Sequence, residues 1–282
     1  MSETSGLRLN PVIARLDDDH VVRATFLDNG NLTQAAEYGD LDLDMVIIEM
    51  EHVGFDFSAL RITMQGLLSR RRIAADGLRP SVAPFVRLPP NASEMPDWMI
   101  KQTLDSGVYG LVLPKLETVE QAEAIVSAAR YPAQRAWVRG DGGRRGYEPR
   151  RAARYWGLSV PEYMAAADVW PLNPAGNLLL IGLVESMCGV ENLPAILDAT
   201  QGIGAVYIGT GDLSADLGLS GDYRHPEVRA AIDEVLQQCR RRGVPCAFVV
   251  RSEGEARDQI ARGVRIAVLG GDVASLATAL GG

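Results

Sequence analysis

Eight short apolar runs, each followed by a longer stretch of helical period, constrain this chain more than any other feature. They lie at 21–26, 45–48, 81–86, 110–113, 178–184, 205–208, 245–250 and 265–269 and are rich in Val, Ile and Leu. Runs of that kind suit strands covered on both faces, as in a parallel sheet with helices packed outside it. Apolar residues spaced three and four apart mark helices at 99–105, 119–129 and 193–199. Pro226 after His225, with Gly243 beyond the last turn, bounds a long helix at 226–242. Strand–helix units repeated in this way predict a (β/α)8 TIM barrel, an α/β fold that commonly uses about 250 residues as one domain; residues 1–282 are read as that single domain. An open doubly wound sheet would carry a glycine-rich turn after its first strand, and Leu27-Asp28-Asn29-Gly30 lacks it.

One stretch breaks the rhythm. Residues 135–177 hold Gly140, Gly142, Gly143, Trp137, Trp156, Trp170 and the arginines Arg144, Arg145, Arg150 and Arg151, and read as a long loop with a helix inside, between strands 4 and 5. Such insertions commonly reshape access to a site.

The net charge of −8 argues against nucleic acid and anionic membranes as partners. The basic triplets Arg70-Arg71-Arg72 and Arg240-Arg241-Arg242 each fall near a predicted helix end, where cations meet the negative pole of the helix dipole. Cys188, Cys239 and Cys246 lack zinc-like spacing, and no apolar run reaches the length of a membrane span, which together point to a reduced, cytoplasmic protein. Cys188 reads as a small buried hydrophobe.

In a barrel the chemistry sits on loops leaving the C-terminal ends of strands. Glu185 follows the run 178–184, and Asp212 follows 205–208, so neighbouring strands present two carboxylates to one rim. Two carboxylates suit a hard divalent cation such as magnesium or manganese, whereas zinc wants imidazole or thiolate. Gly209, Thr210 and Gly211 give backbone freedom before a helical turn whose N–H groups, with that of Asp212, suit a substrate carboxylate. His52 follows Glu49 and Glu51 at the end of a strand, and a carboxylate-held histidine can act as a base. Arg87 closes strand three, where an oxyanion or an ordinary salt-bridge partner satisfies its charge. His20 and His225 read as surface or cap residues.

The ordered set Glu51-His52, Val86-Arg87, the run 100–107, Arg130-Tyr131-Pro132, Arg145-Gly146, Val184-Glu185-Ser186, the run 212–218 and His225-Pro226-Glu227-Val228 resembles the HpcH/HpaI aldolase family. These class II 2-oxo-acid aldolases are related to citrate lyase beta subunits. The resemblance implies a divalent-metal-dependent aldolase (Mg2+ or Mn2+, with Co2+ as a further option) acting on a small-molecule 2-oxo acid and an aldehyde. It also implies that Glu185 and Asp212 hold the metal, that Arg87 steadies the oxyanion, and that His52 with Asp105 orients proton transfer. Gly211 and Asp212 would offer N–H groups to the substrate. Homo-oligomers, hexamers built as trimers of dimers that exchange a C-terminal helix, follow from the same resemblance, and the apolar segment 273–280 agrees with it. Glu49 stands where the family has aspartate, lengthening any pairing with His52; Leu183, Lys115, Thr210 and Gly211 also depart from the family pattern. The same enolate chemistry would serve a decarboxylase or a CoA-thioester lyase, and a non-catalytic protein that binds metal and a 2-oxo acid is the remaining alternative.

Overall fold

The computed structural model describes residues 8–90, 97–132 and 142–281. The chain starts with α1 (Pro11–Asp17) and runs through β1 (Val22–Asp28), α2 (Leu32–Asp40), β2 (Met45–Glu49), α3 (Phe57–Gly66), α4 (Arg70–Asp76), β3 (Ala83–Arg87), α5 (Asp97–Leu104), β4 (Gly110–Leu113) and α6 (Val119–Ala129). It continues with α7 (Arg150–Trp156), α8 (Val160–Ala166), β5 (Val169–Trp170), β6 (Leu178–Val184), α9 (Met187–Ala199), β7 (Ala205–Ile208) and α10 (Thr210–Asp216). The last elements are α11 (Pro226–Arg242), β8 (Cys246–Val250), α12 (Glu253–Ala261), β9 (Val264–Leu269) and α13 (Val273–Ala279).

Every strand except β5 belongs to a closed parallel ring in the order β1-β2-β3-β4-β6-β7-β8-β9, with β9 returning to β1. Each ring strand corresponds to one of the eight apolar runs, so the expected barrel is present. All seven residues of β6 are buried, as a strand sandwiched between barrel interior and helices must be. Closure depends on Gly110 at the β4–β6 seam. A Cβ there would lie 2.3 Å from the Leu179 carbonyl oxygen and 2.1 Å from a ring carbon of Phe85.

Residues 226–242 form α11 as expected, with the His225 side chain accepting from the Glu227 N–H and Gly243 closing the helix in the left-handed region. No helix among the described residues is long and apolar enough to cross a membrane. In the isolated chain α13 buries Leu276 and Ala277 against its own barrel.

Three expectations are corrected. The described part of the excursion, 142–177, is not a loop with one helix: it holds α7, α8 and β5, and β5 pairs with Leu178 and Leu179 at the start of β6. Trp156 is buried there, stacked on Tyr109 at 4.3 Å, and its indole N–H donates to the Gly107 carbonyl. These contacts lie before β4, at the N-terminal mouth of the barrel; Trp137 and Gly140 lie outside the described residues. Arg70-Arg71-Arg72 begin α4 instead of ending a helix, with Arg72 donating to the Leu41 carbonyl and pairing with Asp76. Cys188 is exposed, because the face of α9 that meets the core carries Val190, Leu193, Ile196 and Leu197.

Gly110→Ala should destabilise the fold by about 3 kcal/mol, because the added methyl must displace backbone of the neighbouring strand. Urea unfolding checks this; an unchanged midpoint would show that the seam tolerates a side chain.

Candidate active site

The parallel ring gathers the C-terminal ends of its strands at one rim, and the polar residues there arrive from adjacent elements. Glu49 ends β2 and Arg87 ends β3, and the two are direct partners in the strand register. Glu185 follows β6, and Asp212 sits in the first turn of α10 after β7.

Glu49 organises the β2–β3 side. One carboxylate oxygen accepts the backbone N–H of Glu51 at 2.7 Å and of His52 at 3.0 Å, which folds the loop back over the strand end. The other oxygen accepts Arg87 Nε at 2.7 Å and also pairs with its Nη2. Arg87 Nε further lies 3.1 Å from a Glu51 oxygen, and the guanidinium covers the Phe26 ring at 4.8 Å. A planar donor fork can serve two carboxylates in this way, whereas an ammonium could not. Glu49 therefore does not pair with the His52 ring. That ring is largely exposed and faces Glu51, 3.5 Å from Nε2 to the carboxylate. The longer Glu49 side chain reaches past the loop to Arg87, and the neighbouring carboxylate takes the histidine.

Burial pushes the Glu51 carboxyl up; Arg87 and His52 pull it down, while Glu49 and Asp212 add to the rise. Glu51 thus faces both the arginine and the carboxylates across the rim. On that far side Glu185 is pushed up to about 7, first by burial and then by Asp212 and Glu51, against the Lys115 N–H. That N–H donates to Glu185 at 2.9 Å from a backbone in the left-handed region, φ 56° at Lys115. A non-glycine residue held there is uncommon and concentrates at functional sites. Gly209 makes room for the same glutamate: a Cβ would sit 2.7 Å from a Glu185 carboxylate oxygen. Close approach, not a left-handed turn, is what requires this glycine. Gly211 faces open space. No side chain caps α10, and its first helical hydrogen bond is donated by Leu213 to the Gly209 carbonyl.

The structure therefore brings together His52, Arg87, Glu49, Glu185, Gly209, Thr210, Gly211 and Asp212. It does not bring Asp105 to them. Asp105 directly follows α5, which runs back towards the N-terminal mouth, and there it accepts from the buried Arg145 at 3.0 Å. Arg145 also donates to the Tyr163 hydroxyl at 2.9 Å and lies over the Tyr131 ring. Burial raises the Asp105 carboxyl while Arg145 lowers it. Within the chain the expected pairing of Asp105 with His52 does not occur, because a helix antiparallel to the strands delivers its last residue to the wrong end.

Glu51 and Lys115 are site residues that the sequence reading gave no role. The E-x-E spacing of Glu49 and Glu51 at a strand end was a usable signal, since residues two apart share a face. The contact of Lys115 with Glu185, 70 residues away in sequence, had no local signal. Among the described residues no group of three or more His, Cys, Asp or Glu side chains is arranged to enclose a metal ion.

Comparisons with known proteins agree with this architecture. A crystal structure of an HpcH/HpaI aldolase/citrate lyase family protein from Burkholderia cenocepacia superposes with a TM-score of 0.73 at 29% identity, covering 96% of each chain. An HpcH/HpaI aldolase from Desulfitobacterium hafniense shares the fold with a TM-score of 0.73 at 24% identity, covering 94% of this chain and 92% of that one. The 5-keto-4-deoxy-D-glucarate aldolase of Salmonella paratyphi A is 30% identical over 230 residues, 82% of this chain and 78% of the relative. The profile of one family matches residues 24–279, which takes in the whole ring apart from the first residues of β1, and the chain therefore belongs to the HpcH/HpaI aldolase/citrate lyase family of carbon–carbon lyases.

Proposed function

We propose that this protein is a divalent-cation-dependent aldolase that forms or cleaves the carbon–carbon bond of a 4-hydroxy-2-oxo acid through the enolate of a 2-oxo acid such as pyruvate. The observation that carries the reading is the convergence on one rim of Glu185 and Asp212 with Arg87 and His52, joined by Glu51, which contacts the arginine and the histidine and acts electrostatically on Glu185. The name of the Salmonella relative, an aldolase of a keto-deoxy sugar acid, supports an oxo acid as the substrate class.

The donor set fits a hard cation. Glu185 and Asp212 would hold magnesium, manganese or cobalt, since burial and then the neighbouring carboxylates leave Glu185 raised above its usual range, and both offer oxygen ligands. When bound, the cation polarises the keto oxygen and neutralises the donor's carboxylate. Uncapped N–H groups at the start of α10 receive that carboxylate beside Asp212. His52, held by Glu51, removes the C3 proton from the donor and returns it in the reverse direction. Arg87, with Nε and Nη2 turned to Glu49 and Glu51, keeps Nη1 for the alkoxide that forms on the aldehyde carbonyl. Glu49 is a positioning residue: it fixes Arg87 and folds the His52 loop, and touches no reacting atom.

Three outcomes test this. Chelator should abolish pyruvate release from 4-hydroxy-2-oxo acids and manganese should restore it; full activity in chelator would sink the reading. Arg87→Lys should lower kcat for pyruvate release by about 10²- to 10³-fold, because a single ammonium cannot reach both glutamates and the alkoxide. The third concerns pH. In the cation-free fold Glu185 titrates at about 7 against an ordinary 4.5, so the folded state holds a proton that the unfolded chain has released. That stabilisation is full below the ordinary value and lost as pH rises through about 7. A cation replaces the proton, so the rise in Tm on adding manganese should be larger at about pH 8 than at about pH 6. Equal rises at both would mean that Glu185 is not a ligand.

A further inference from the structure

A cavity of about 250 Å³ lies in the helical layer between the second half of α3, the turn after α5 and α7. The turn after α5 and α7 meet at the N-terminal mouth, so this cavity is remote from the rim that gathers Glu185, Asp212 and Arg87. Its walls are of two kinds. Met64, Leu68 and Tyr155 make an apolar half, with the Tyr155 hydroxyl donating to the Met64 carbonyl at 3.1 Å. Arg61, Arg151 and Arg154 make the other half, and no aspartate or glutamate is among the described residues that line it.

Three arginines without a lining carboxylate are unexpected in a chain of net charge −8. Nearby arginines are paired: Arg144 with Asp97, and Arg145 with Asp105. Among the described residues the guanidinium groups of Arg61, Arg151 and Arg154 have neither an ion pair nor a hydrogen bond. Arg61 Nε is moreover buried, and a buried donor left unpaired is costly until something accepts from it. The helix dipole does not account for Arg151. It stands in the first turn of α7, at the positive pole, with no acidic residue beside it in that turn. Arg154, three residues on, shares its face of the helix, so α7 presents two guanidinium forks to the cavity that Arg61 enters from α3. Converging forks of this kind suit carboxylate or phosphate oxygens, and the apolar half suits the body of the molecule that carries them.

We propose that this cavity is a binding site for a small amphiphilic anion, a carboxylate or phosphate on a compact apolar body, held by Arg61, Arg151 and Arg154 and separate from the reaction centre. The occupant bridges α3 and α7, so binding ties the excursion to the barrel and stabilises the folded chain. The site stands on its own walls and does not depend on the chemistry at the rim.

The probes are benzoate, phenyl phosphate and inorganic phosphate, titrated calorimetrically at low salt into the full chain and into Arg61→Ala, Arg151→Ala, Arg154→Lys and Arg87→Lys. Each variant is first checked for wild-type circular dichroism; Arg151 is exposed, so Arg151→Ala carries the test should Arg61→Ala fail to fold. Benzoate or phenyl phosphate should bind about 10-fold more tightly than inorganic phosphate, and the tighter of the two identifies the acidic group. Its affinity should fall by about 10- to 100-fold in Arg61→Ala and Arg151→Ala, fall less in Arg154→Lys, and stay unchanged in Arg87→Lys. The same probe should raise the Tm of the wild type and leave that of Arg151→Ala where it was. Inorganic phosphate binding as tightly as the ring compounds overturns the amphiphilic site and leaves a plain cluster of charge. Affinity that survives Arg151→Ala and is lost in Arg87→Lys places the anion at the rim and overturns the proposal, as does the absence of binding by every probe.

Discussion

Leu111 and Val112 of β4 pair with Leu180 and Ile181 of β6, and with that seam made every parallel strand of the ring has two neighbours and no free edge. The seam tolerates no side chain at Gly110, where the Leu179 carbonyl and the Phe85 ring already occupy the space. Everything chemical follows from closure. A closed parallel ring points all its strands the same way, so residues ending β2 and β3 meet residues following β6, β7 and β8 across one mouth. The described part of the excursion after α6 packs at the opposite mouth, where Trp156 stacks on Tyr109 and meets Tyr163, whose hydroxyl accepts from Arg145.

The rim that results is electrostatically divided. Burial, and then the carboxylates of Asp212 and Glu51, push Glu185 out of the usual carboxylate range. The Arg87 guanidinium holds the β2–β3 side, paired to Glu49 and Glu51. Buried like charges are unfavourable unless something arrives to offset them. A cation beside Glu185 and Asp212 would offset them, as the proposed aldolase requires. The left-handed Lys115 and the side-chain-free Gly209 are the backbone devices that keep Glu185 in this setting.

Much of this was legible without coordinates. Period and apolar runs located every ring strand, because a strand covered on both faces must be apolar throughout. The end-of-strand positions of Glu49, Arg87 and Glu185 could be read from where each run stopped. Asp105 differs for the complementary reason: it follows a helix instead of a strand, so within the chain it lies at the other mouth, beside Arg145.

The sequence by itself determined the barrel, the family and the identity of the rim residues, since hydrophobic period and element order are local properties of the chain. Tertiary structure alone decided the partnerships: that Glu49 binds Arg87 and not the His52 ring, that Glu51 takes the histidine, that Lys115 reaches Glu185, and that Arg61 of α3 shares a cavity with Arg151 and Arg154 of α7. Side-chain pairing depends on distances of a few ångströms between segments far apart in the chain. Those distances exist only once the ring has closed.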